Sequence, residues 1–599
     1  MNKKTILVCC GTGCIAGGSL EVADAIENFI MNSPSDIPND ITVERIKRTG
    51  CNGFCENGPI VRIMPDDISY YKVKPKDAEE IIKSIGNEPV QRLLYKDDNG
   101  NRIPSQEKNP FYAHQEKRVL SNIGKIDPLD IQDYYNSGGY AALKQALKMS
   151  SSEIIDEVIK SGLRGRGGAG FPTGQKWKLA ASFDNSPKYV VCNGDEGDPG
   201  AFMDRSILEG DPHKVLEGLI IAAIAIGAEE GFLYIRDEYG LARKNVQAAI
   251  DDCIKSGIIG NSVMGSGKKL SLSIVRGGGA FVCGESTALM ASIEGKVGEP
   301  RAKYIRSVEK GLWNQPTVLN NVETLANISD IILNGGDEFK KIGSENNSGT
   351  KVFALVGKVK HTGLVEIPMG ATLGHIINSI GGGIIGNRAF KAVQTGGPSG
   401  GCIPGSMLDI PLDFDSLTSY GGMMGSGGMI VMDDRSCMVE VARYYTNFLA
   451  EESCGKCTVC REGLRQMKTI LAGICEGEGK PEDIKLLEEI GETMKDASLC
   501  SLGKTAPNPV LTTIKYFREE YEAHINQKIC PAGVCKNLTS FVIDSSKCTG
   551  CSACKRACPI GAITGEIKEA HDINKDICQS CGACREVCKF DAIISEGRA

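Results

Sequence analysis

No stretch of this 599-residue chain approaches the roughly 18 consecutive apolar residues that a membrane span requires. The longest candidate, "VLEGLIIAAIAIGAEEGFLYI" from Val215, is interrupted by Glu217, Glu229 and Glu230, and predicts a buried helix followed by a strand. A secretion signal is missing as well. "MNKKTILVCCGTGC" starts with basic residues, but its apolar run is too short, and it predicts a first strand. The chain also lacks a basic excess: its net charge of −7 gives no reason to expect a nucleic-acid partner. What remains is a folded, multidomain protein, about four domains by length.

Cysteine is what the chain has in quantity. There are 25, most of them in tight clusters. In a long chain without a secretion signal, such clusters bind metal more often than they form disulfides, and they predict a reducing, cytoplasmic setting.

The C-terminal clusters are the most specific. Cys548, Cys551, Cys554 and Cys558, followed by Pro559, form C-x2-C-x2-C-x3-C-P, and Cys578, Cys581, Cys584 and Cys588 repeat the spacing thirty residues later. This is the bacterial two-cluster ferredoxin pattern, in which the fourth cysteine of each run serves the other cluster. One [4Fe–4S] then takes Cys548, Cys551, Cys554 and Cys588, and the other takes Cys578, Cys581, Cys584 and Cys558. Zinc knuckles are the competing reading, but two matched runs of soft thiolates suit a cubane better.

"ESCGKCTVCREG" supplies Cys454, Cys457 and Cys460, and "DASLCSLG" supplies Cys500 after the helix-patterned "EDIKLLEEIGETMKDA". These four predict a further cluster, with zinc as the alternative. At the N-terminus Cys9, Cys10 and Cys14 precede Cys51 and Cys55 in glycine-bearing turns, which suits a [2Fe–2S] centre; a redox disulfide is the rival. Four ligands suffice, so Cys9 or Cys10 is spare, and the x4 spacing selects Cys9 with Cys14, Cys51 and Cys55. Cys475, His524, Cys530 and Cys535 have the composition of a structural Zn2+ site, with unligated buried thiols as the alternative. Cys192, Cys253, Cys283, Cys402 and Cys437 read as small core residues.

Two glycine loops stand out. "GRGGAGFPTGQKW" satisfies G-x-G-x-x-G through Gly165, Gly167 and Gly170, but it follows the helix-patterned "SSEIIDEVIKSGLR". A Rossmann fingerprint must follow a strand, so the context test fails. Its backbone N–H groups can still meet a phosphate, Arg166 and Lys176 add charge, and Phe171 and Trp177 offer flat surfaces to a ring system. In "LSLSIVRGGGAFVCGESTALMASIEG" an alternating strand leads into Gly277, Gly278 and Gly279 and then a helix, a geometry suited to cofactor phosphate. Between the loops, "VVCNGDEGDPGAFMDR" places Asn193, Asp195, Glu196 and Asp198 after a strand, where acids can meet ribityl or ribose hydroxyls.

Together "GRGGAGFPTGQKW", "NGDEGDPG", "GGGAFVCGESTAL", "NNVETL" and "ESCGKCTVCR" resemble the family of NADH-oxidising flavoprotein subunits of respiratory complex I and soluble NAD-linked hydrogenases. With the extra N-terminal and C-terminal cysteine clusters, the layout looks like the beta subunits of cytoplasmic electron-bifurcating [FeFe]-hydrogenases. The resemblance implies that Gly165, Arg166, Gly167 and Lys176 contact FMN. Asn193, Asp195, Glu196, Gly284, Glu285, Asn320, Asn321 and Thr324 would complete the flavin site. NAD(H) would stack through Phe171 near Lys176 and Asp198, with Glu196 and Lys176 as the catalytic residues. Cys454, Cys457, Cys460 and Cys500 would hold the [4Fe–4S] that first accepts electrons.

Three departures from the complex I pattern stand out: Ser286 beside Glu285, Asp198 in place of a glutamate, and "RAKYIRSVEKG" in place of a proline-rich aromatic stretch. Arg301, Lys303 and Arg306 there leave NADP open as the nucleotide.

The expected architecture is multidomain α/β. Residues 1–95 form a thioredoxin-like [2Fe–2S] domain by resemblance, and a polar linker, "YKDDNGNRIPSQEKNP", follows. A Rossmann-like FMN and NAD(H) domain occupies 110–340, a β-grasp module 345–430, and a helical bundle with a [4Fe–4S] 436–525. The zinc segment and two-cluster ferredoxin domain fill 526–599. The implied activity is hydride exchange between NAD(H) and FMN with single electrons passing to one [2Fe–2S] and three [4Fe–4S] clusters. Implied partners are a catalytic hydrogenase alpha subunit, a small thioredoxin-like [2Fe–2S] gamma subunit and soluble ferredoxin. The diaphorase subunit of an NAD-dependent formate dehydrogenase, a non-bifurcating NAD(P)-linked hydrogenase, and an electron-transfer scaffold with a dead flavin site are the alternatives.

Overall fold

The structure, a computed structural model, describes residues 4–32, 42, 45–302 and 304–597. They fall into two compact units. The first is Met1–Asn387 with Thr395–Gly397 and Met407–Val431; the second is Arg388–Gln394, Pro398–Ser406 and Met432–Ala599. Among the described residues no helix is long and apolar enough to cross a membrane.

In the first unit, the N-terminal segment folds as β1 (Thr5–Cys9), α1 (Ser19–Asn32), β2 (Ile46–Thr49), β3 (Val61–Met64), β4 (Ile68–Tyr70) and α2 (Ala78–Ser84). The sheet order is β2-β1-β3-β4, with β1 parallel to β2 and antiparallel to β3. Val22 and Ile26 of α1 and Ile81 and Ile82 of α2 pack on Ile6, Val8, Val61 and Ile63, one apolar stripe per helix against the sheet. The expected linker is not structureless. Tyr95–Lys96 pairs antiparallel with Arg102–Ile103, and Asp97 closes the turn by accepting from the Asn101 N–H at 2.7 Å.

The next segment contains α3 (Ser151–Lys160), α4 (Thr173–Ala181), β5 (Tyr189–Gly194), α5 (Met203–Gly210), α6 (Pro212–Ile226), β6 (Glu230–Arg236), α7 (Gly240–Lys255), β7 (Ser271–Gly277), α8 (Ser286–Ile293), β8 (Thr317–Asn321) and α9 (Val322–Ala326). Ser150 and Glu153 form a capping box that starts α3, so the first glycine loop does follow a helix. Every residue of α6 is buried, Lys214 and Glu217 included, and Gly227 ends it in the left-handed conformation. A Cβ at Gly218 would lie 2.1 Å from the Leu325 carbonyl oxygen, so glycine is what lets α6 approach α9. The strands form a wholly parallel sheet in the order β8-β5-β6-β7. Strand order reverses at β5, which makes the carboxyl ends of β5 and β8 the switch point where an open α/β sheet leaves a crevice.

The unit closes with β9 (Thr350–Gly357) antiparallel to β10 (Gly363–Pro368) and parallel to β11 (Gly428–Asp433), with a short helical segment at His375–Ile380 between. Hairpin, helix and returning parallel strand are the β-grasp arrangement expected from the sequence.

From Met438 the second unit continues with the long helices α10 (Met438–Glu452), α11 (Thr458–Glu476), α12 (Asp483–Ala497) and α13 (Asn508–Glu522), with a short helix at Ser501–Thr505 before the last. Leu464, Met467, Leu471 and Ile474 give α11 a buried stripe at helical spacing. The C-terminal segment is built on near-twofold repetition. Helices Ala553–Ala557 and Ala583–Val587 are matched, Ser540–Ile543 pairs antiparallel with Ile593–Glu596, and Ile563–Thr564 with Asp572–Ile573.

Candidate functional site

The switch point collects most of the predicted residues. Asn193 on β5 and Asn321 on β8 are register partners, and Asn320 pairs with Cys192. Asn193 donates through Nδ2 to the Gly284 carbonyl at 3.1 Å and accepts from the Asp195 N–H at 3.0 Å, tying the acidic turn to the second glycine loop. Asn321 Oδ1 caps α9 by accepting from the Glu323 and Thr324 N–H groups. Its Nδ2 donates to Asp204 at 2.5 Å. Thr324 Oγ1 in turn accepts from the Arg166 N–H at 2.8 Å, which fixes the first glycine loop over the ends of β5 and β8.

That loop closes on itself through the Gly165 N–H, which donates to the Phe171 carbonyl at 2.9 Å. A Cβ on Gly167 would stand 2.9 Å from Asn321 Cβ, so glycine is required by the protein's own packing as well as by any ligand. Phe171 is 42% exposed, a free aromatic face beside the crevice. Lys176 is half-buried and donates through Nζ to the Leu319 carbonyl at 2.9 Å, which places it beside Asn320.

Three expectations are corrected. The Arg166 guanidinium does not serve as a phosphate charge. It is fully buried and donates to the carbonyls of Arg164, Ser348 and Thr350, and burial lowers its pKa to about 10. Trp177 is likewise fully buried, with Nε1 donating to Asn320 Oδ1 at 3.0 Å, so it positions an amide and offers no flat surface. Glu196, expected to be catalytic, has its carboxylate taken up by the N–H groups of Met203, Asp204 and Arg205 at the start of α5 and by the Tyr239 hydroxyl. It is a helix cap that holds the acidic turn.

Asp195 is buried, with Arg236 3.8 Å away. Half-buried Asp198 accepts from Ser426 Oγ at 2.9 Å; desolvation, with the Glu196 charge adding to it, pushes its pKa up to about 7 against the hydrogen bond. Glu285 caps α8 by accepting from the Thr287 and Ala288 N–H groups. Gly284 lies against the Asp195 carbonyl, 3.3 Å from where its Cβ would stand. Of the basic residues that leave NADP open as the nucleotide, Arg301 donates to the Lys310 carbonyl within its own loop, Arg306 is exposed, and Lys303 lies outside the described residues. No motif signals the buried Lys351–Glu323 ion pair, which also links to the Val352 and Ser426 carbonyls and braces α9 from behind. Its partners are non-local.

The thiols assemble in groups. Cys9 lies against Cys14 and Cys51, and Cys51 Sγ is 3.7 Å from Cys55 Sγ. Cys10 instead joins the N-terminal apolar core, where burial pushes its pKa up to about 11. This selects Cys9 for the four-thiol set. Cys460 has Cys457, Cys500 and Cys454 as neighbours. One recess in the C-terminal segment is lined by Cys548, Cys551, Cys554 and Cys588, and a second by Cys558, Cys578, Cys581 and Cys584, the crossed grouping that the spacing predicts.

The Cys/His set needs a correction. The donor atoms lying within 4.8 Å of one another belong to Cys437, His524, Cys530 and Cys535. Cys437, read as a core residue, takes the place expected for Cys475, because the start of α10 and not the end of α11 faces His524. Cys437 Sγ is 3.4 Å from His524 Nε2 and 3.8 Å from Cys535 Sγ, and His524 Nε2 is 3.4 Å from Cys535 Sγ. A tetrahedral ion with ordinary Zn–S and Zn–N bonds separates its donors by about 3.8 Å (S to S) and about 3.5 Å (S to N). His524 Nδ1 lies 2.7 Å from the Glu520 carbonyl, which fixes the tautomer and turns Nε2 to the thiols.

Comparison with known proteins agrees with this layout. Residues 1–86 match the thioredoxin-like [2Fe–2S] ferredoxin family, 158–330 the Nuo51 FMN-binding domain, 440–524 the iron–sulfur binding region of NADH-ubiquinone oxidoreductase-F, and 540–589 the 4Fe–4S dicluster domain. The NADP-reducing hydrogenase protein HndC of Solidesulfovibrio fructosivorans is 51% identical over 450 residues, 75% of this chain and 92% of that protein. The second F-type component of the NADH-quinone oxidoreductase of Rhizobium meliloti is 43% identical over 69% of this chain and 98% of its own length. A crystal structure of an NAD+-reducing [NiFe]-hydrogenase in the H2-reduced state matches with a TM-score of 0.61 and 28% identity, covering 88% of this chain and 84% of that one. The chain therefore belongs to the family of NADH-binding, FMN- and iron–sulfur-bearing flavoproteins shared by NADH-quinone oxidoreductases and NAD(P)-reducing hydrogenases.

Proposed function

We propose that this chain is the NAD(H)-oxidising, electron-distributing subunit of a cytoplasmic electron-bifurcating hydrogenase, coupling H2 oxidation to the reduction of NAD+ and ferredoxin. The observation that carries the reading is the number of separate thiol quartets in a chain with one flavin module. Cys9, Cys14, Cys51 and Cys55 would hold a [2Fe–2S]; Cys454, Cys457, Cys460 and Cys500 a [4Fe–4S]; and the C-terminal segment two more. A simple dehydrogenase has no use for so many exits.

The residues at the switch point suit FMN. Asn193, Asn320 and Asn321 supply amides, Asp195 an acid for ribityl hydroxyls, and the Gly165–Gly170 and Gly277–Gly279 loops closely approachable backbone. Bound FMN supplies the exchange between two-electron and one-electron transfer. Phe171 offers its exposed face to the nicotinamide, and Lys176 and Asp198 flank it. The N-terminal quartet joins this site through α5: Glu196 caps one end, and Glu209 near the other accepts from the Thr12 N–H at 3.0 Å. Eight helical residues span about 12 Å, so one rigid element carries both the acidic turn and the contact to the N-terminal cysteine turn.

Cys437, His524, Cys530 and Cys535 would hold a structural Zn2+ between the helices and the ferredoxin segment. NADP is the second reading for the nucleotide, favoured by the likeness to an NADP-reducing hydrogenase. The partners would be a hydrogenase alpha subunit, a [2Fe–2S] gamma subunit and soluble ferredoxin. The test is H2-driven NAD+ reduction by the native complex. The reading expects strong dependence on added ferredoxin; equal rates without it leave a plain NAD-linked hydrogenase.

A further inference from the structure

Cys535 belongs to two overlapping groups of donors. One is the tetrahedral set of Cys437, His524, Cys530 and Cys535; the other is Glu440, Cys475 and Cys535, whose donor atoms also lie within 4.8 Å of one another. Four-coordinate zinc is complete with the first set. In the second, Glu440 is already clamped by Arg443, whose Nε and terminal nitrogen donate to its two oxygens at 2.6 and 2.5 Å. Cys475 is therefore a spare thiol held beside a metal-binding thiolate. It is also the most exposed of the five cysteine and histidine side chains, at 7%, against 0% for His524 and 2% for Cys437 and Cys530.

We propose that Cys475 is an oxidation site that forms a disulfide with Cys535 and so releases the zinc, an inference resting on the zinc reading above. The oxidant is hydrogen peroxide. The Cys475 sulfur attacks its terminal oxygen; the O–O bond breaks, an S–O bond forms, and water leaves with the thiol proton. The zinc-bound Cys535 thiolate then attacks the Cys475 sulfur, forming S–S and expelling hydroxide. Two electrons, one from each sulfur, have reduced the peroxide to water and hydroxide. Zinc is left with Cys437, His524 and Cys530, and a three-donor site binds it far less tightly. Cys475 sits in the last turn of α11, so the new bond also ties that helix end to the Cys530–Cys535 loop.

The test uses the full chain with its clusters, treated anaerobically with a few equivalents of hydrogen peroxide. Zinc and iron are measured after desalting, and the disulfides are mapped by peptide mass. The wild-type chain is expected to lose most of its zinc and to yield a Cys475–Cys535 linked peptide. Cys475→Ser and Cys475→Ala should hold normal zinc before treatment and keep most of it afterwards. Equal zinc loss in wild type and both variants, or a linked peptide pairing Cys530 with Cys535, overturns the proposal. Absence of zinc before treatment overturns the zinc reading instead, and the linked peptide still decides whether Cys475 and Cys535 form the reactive pair.

Discussion

Trp177 donates its indole N–H to the Asn320 side-chain oxygen at 3.0 Å, with the ring wholly buried. The aromatic that the sequence offers as a stacking surface is a brace for the amide at the end of β8. Trp177→Phe should leave that amide oxygen unpaired and cost about 1–3 kcal/mol of stability. Flavin content should fall while the iron–sulfur absorbance persists, which calorimetry and cofactor analysis of the same preparation would show. Unchanged flavin content would mean that Asn320 needs no brace.

Arg166 gives a second prediction. Its guanidinium satisfies three backbone carbonyls, and lysine has neither the reach nor the planar fork to replace it. Arg166→Lys should destabilise the first unit and lower its melting temperature whether or not flavin is present. A phosphate-binding arginine would behave differently, with stability lost only in the flavin-bound form.

Much of this was legible beforehand because the signals are local. The crossed cysteine runs, the strand before Gly277, the helix before Gly165 and the buried run of α6 are each written within about forty residues of sequence. What escaped depends on contacts between distant segments. Cys437 and His524 are 87 residues apart, so Cys475, nearer in sequence, took the fourth place. The inward turn of Arg166 depends on carbonyls at Ser348 and Thr350 that no motif announces, and the Glu196 cap depends on where α5 begins.

Asp198 gives a pH dependence. Its folded-state pKa, about 7, lies above the ordinary aspartate value, so the folded state holds a proton that the unfolded chain has already lost. Stability should therefore fall as pH rises from about 4 to about 7 and level off above it. Asp198→Asn should remove that slope and melt higher than wild type at pH 8. A variant whose melting temperature tracks wild type through this range would show Asp198 to be ionised throughout.

The four-donor set at Cys437 makes a sharper claim than composition could. Cys437→Ser and Cys530→Ser should each abolish zinc and lower the melting temperature of the second unit, and Cys475→Ser should do neither under reducing conditions. Elemental analysis of the three variants settles which cysteine completes the site. Zinc retained in Cys437→Ser and lost in Cys475→Ser would restore the assignment suggested by sequence.

The central claim is that NADH is oxidised at the switch-point flavin of the first unit and that its electrons leave through separate thiol-held clusters. Cys581→Ser removes a thiol from one of the two C-terminal quartets and changes no residue of the flavin module. The decisive measurement compares, in this variant complex and in wild type, NADH–viologen activity with H2-driven, ferredoxin-coupled NAD+ reduction. The account predicts intact viologen activity and a severely impaired coupled reaction; coupled turnover at the wild-type rate would contradict it.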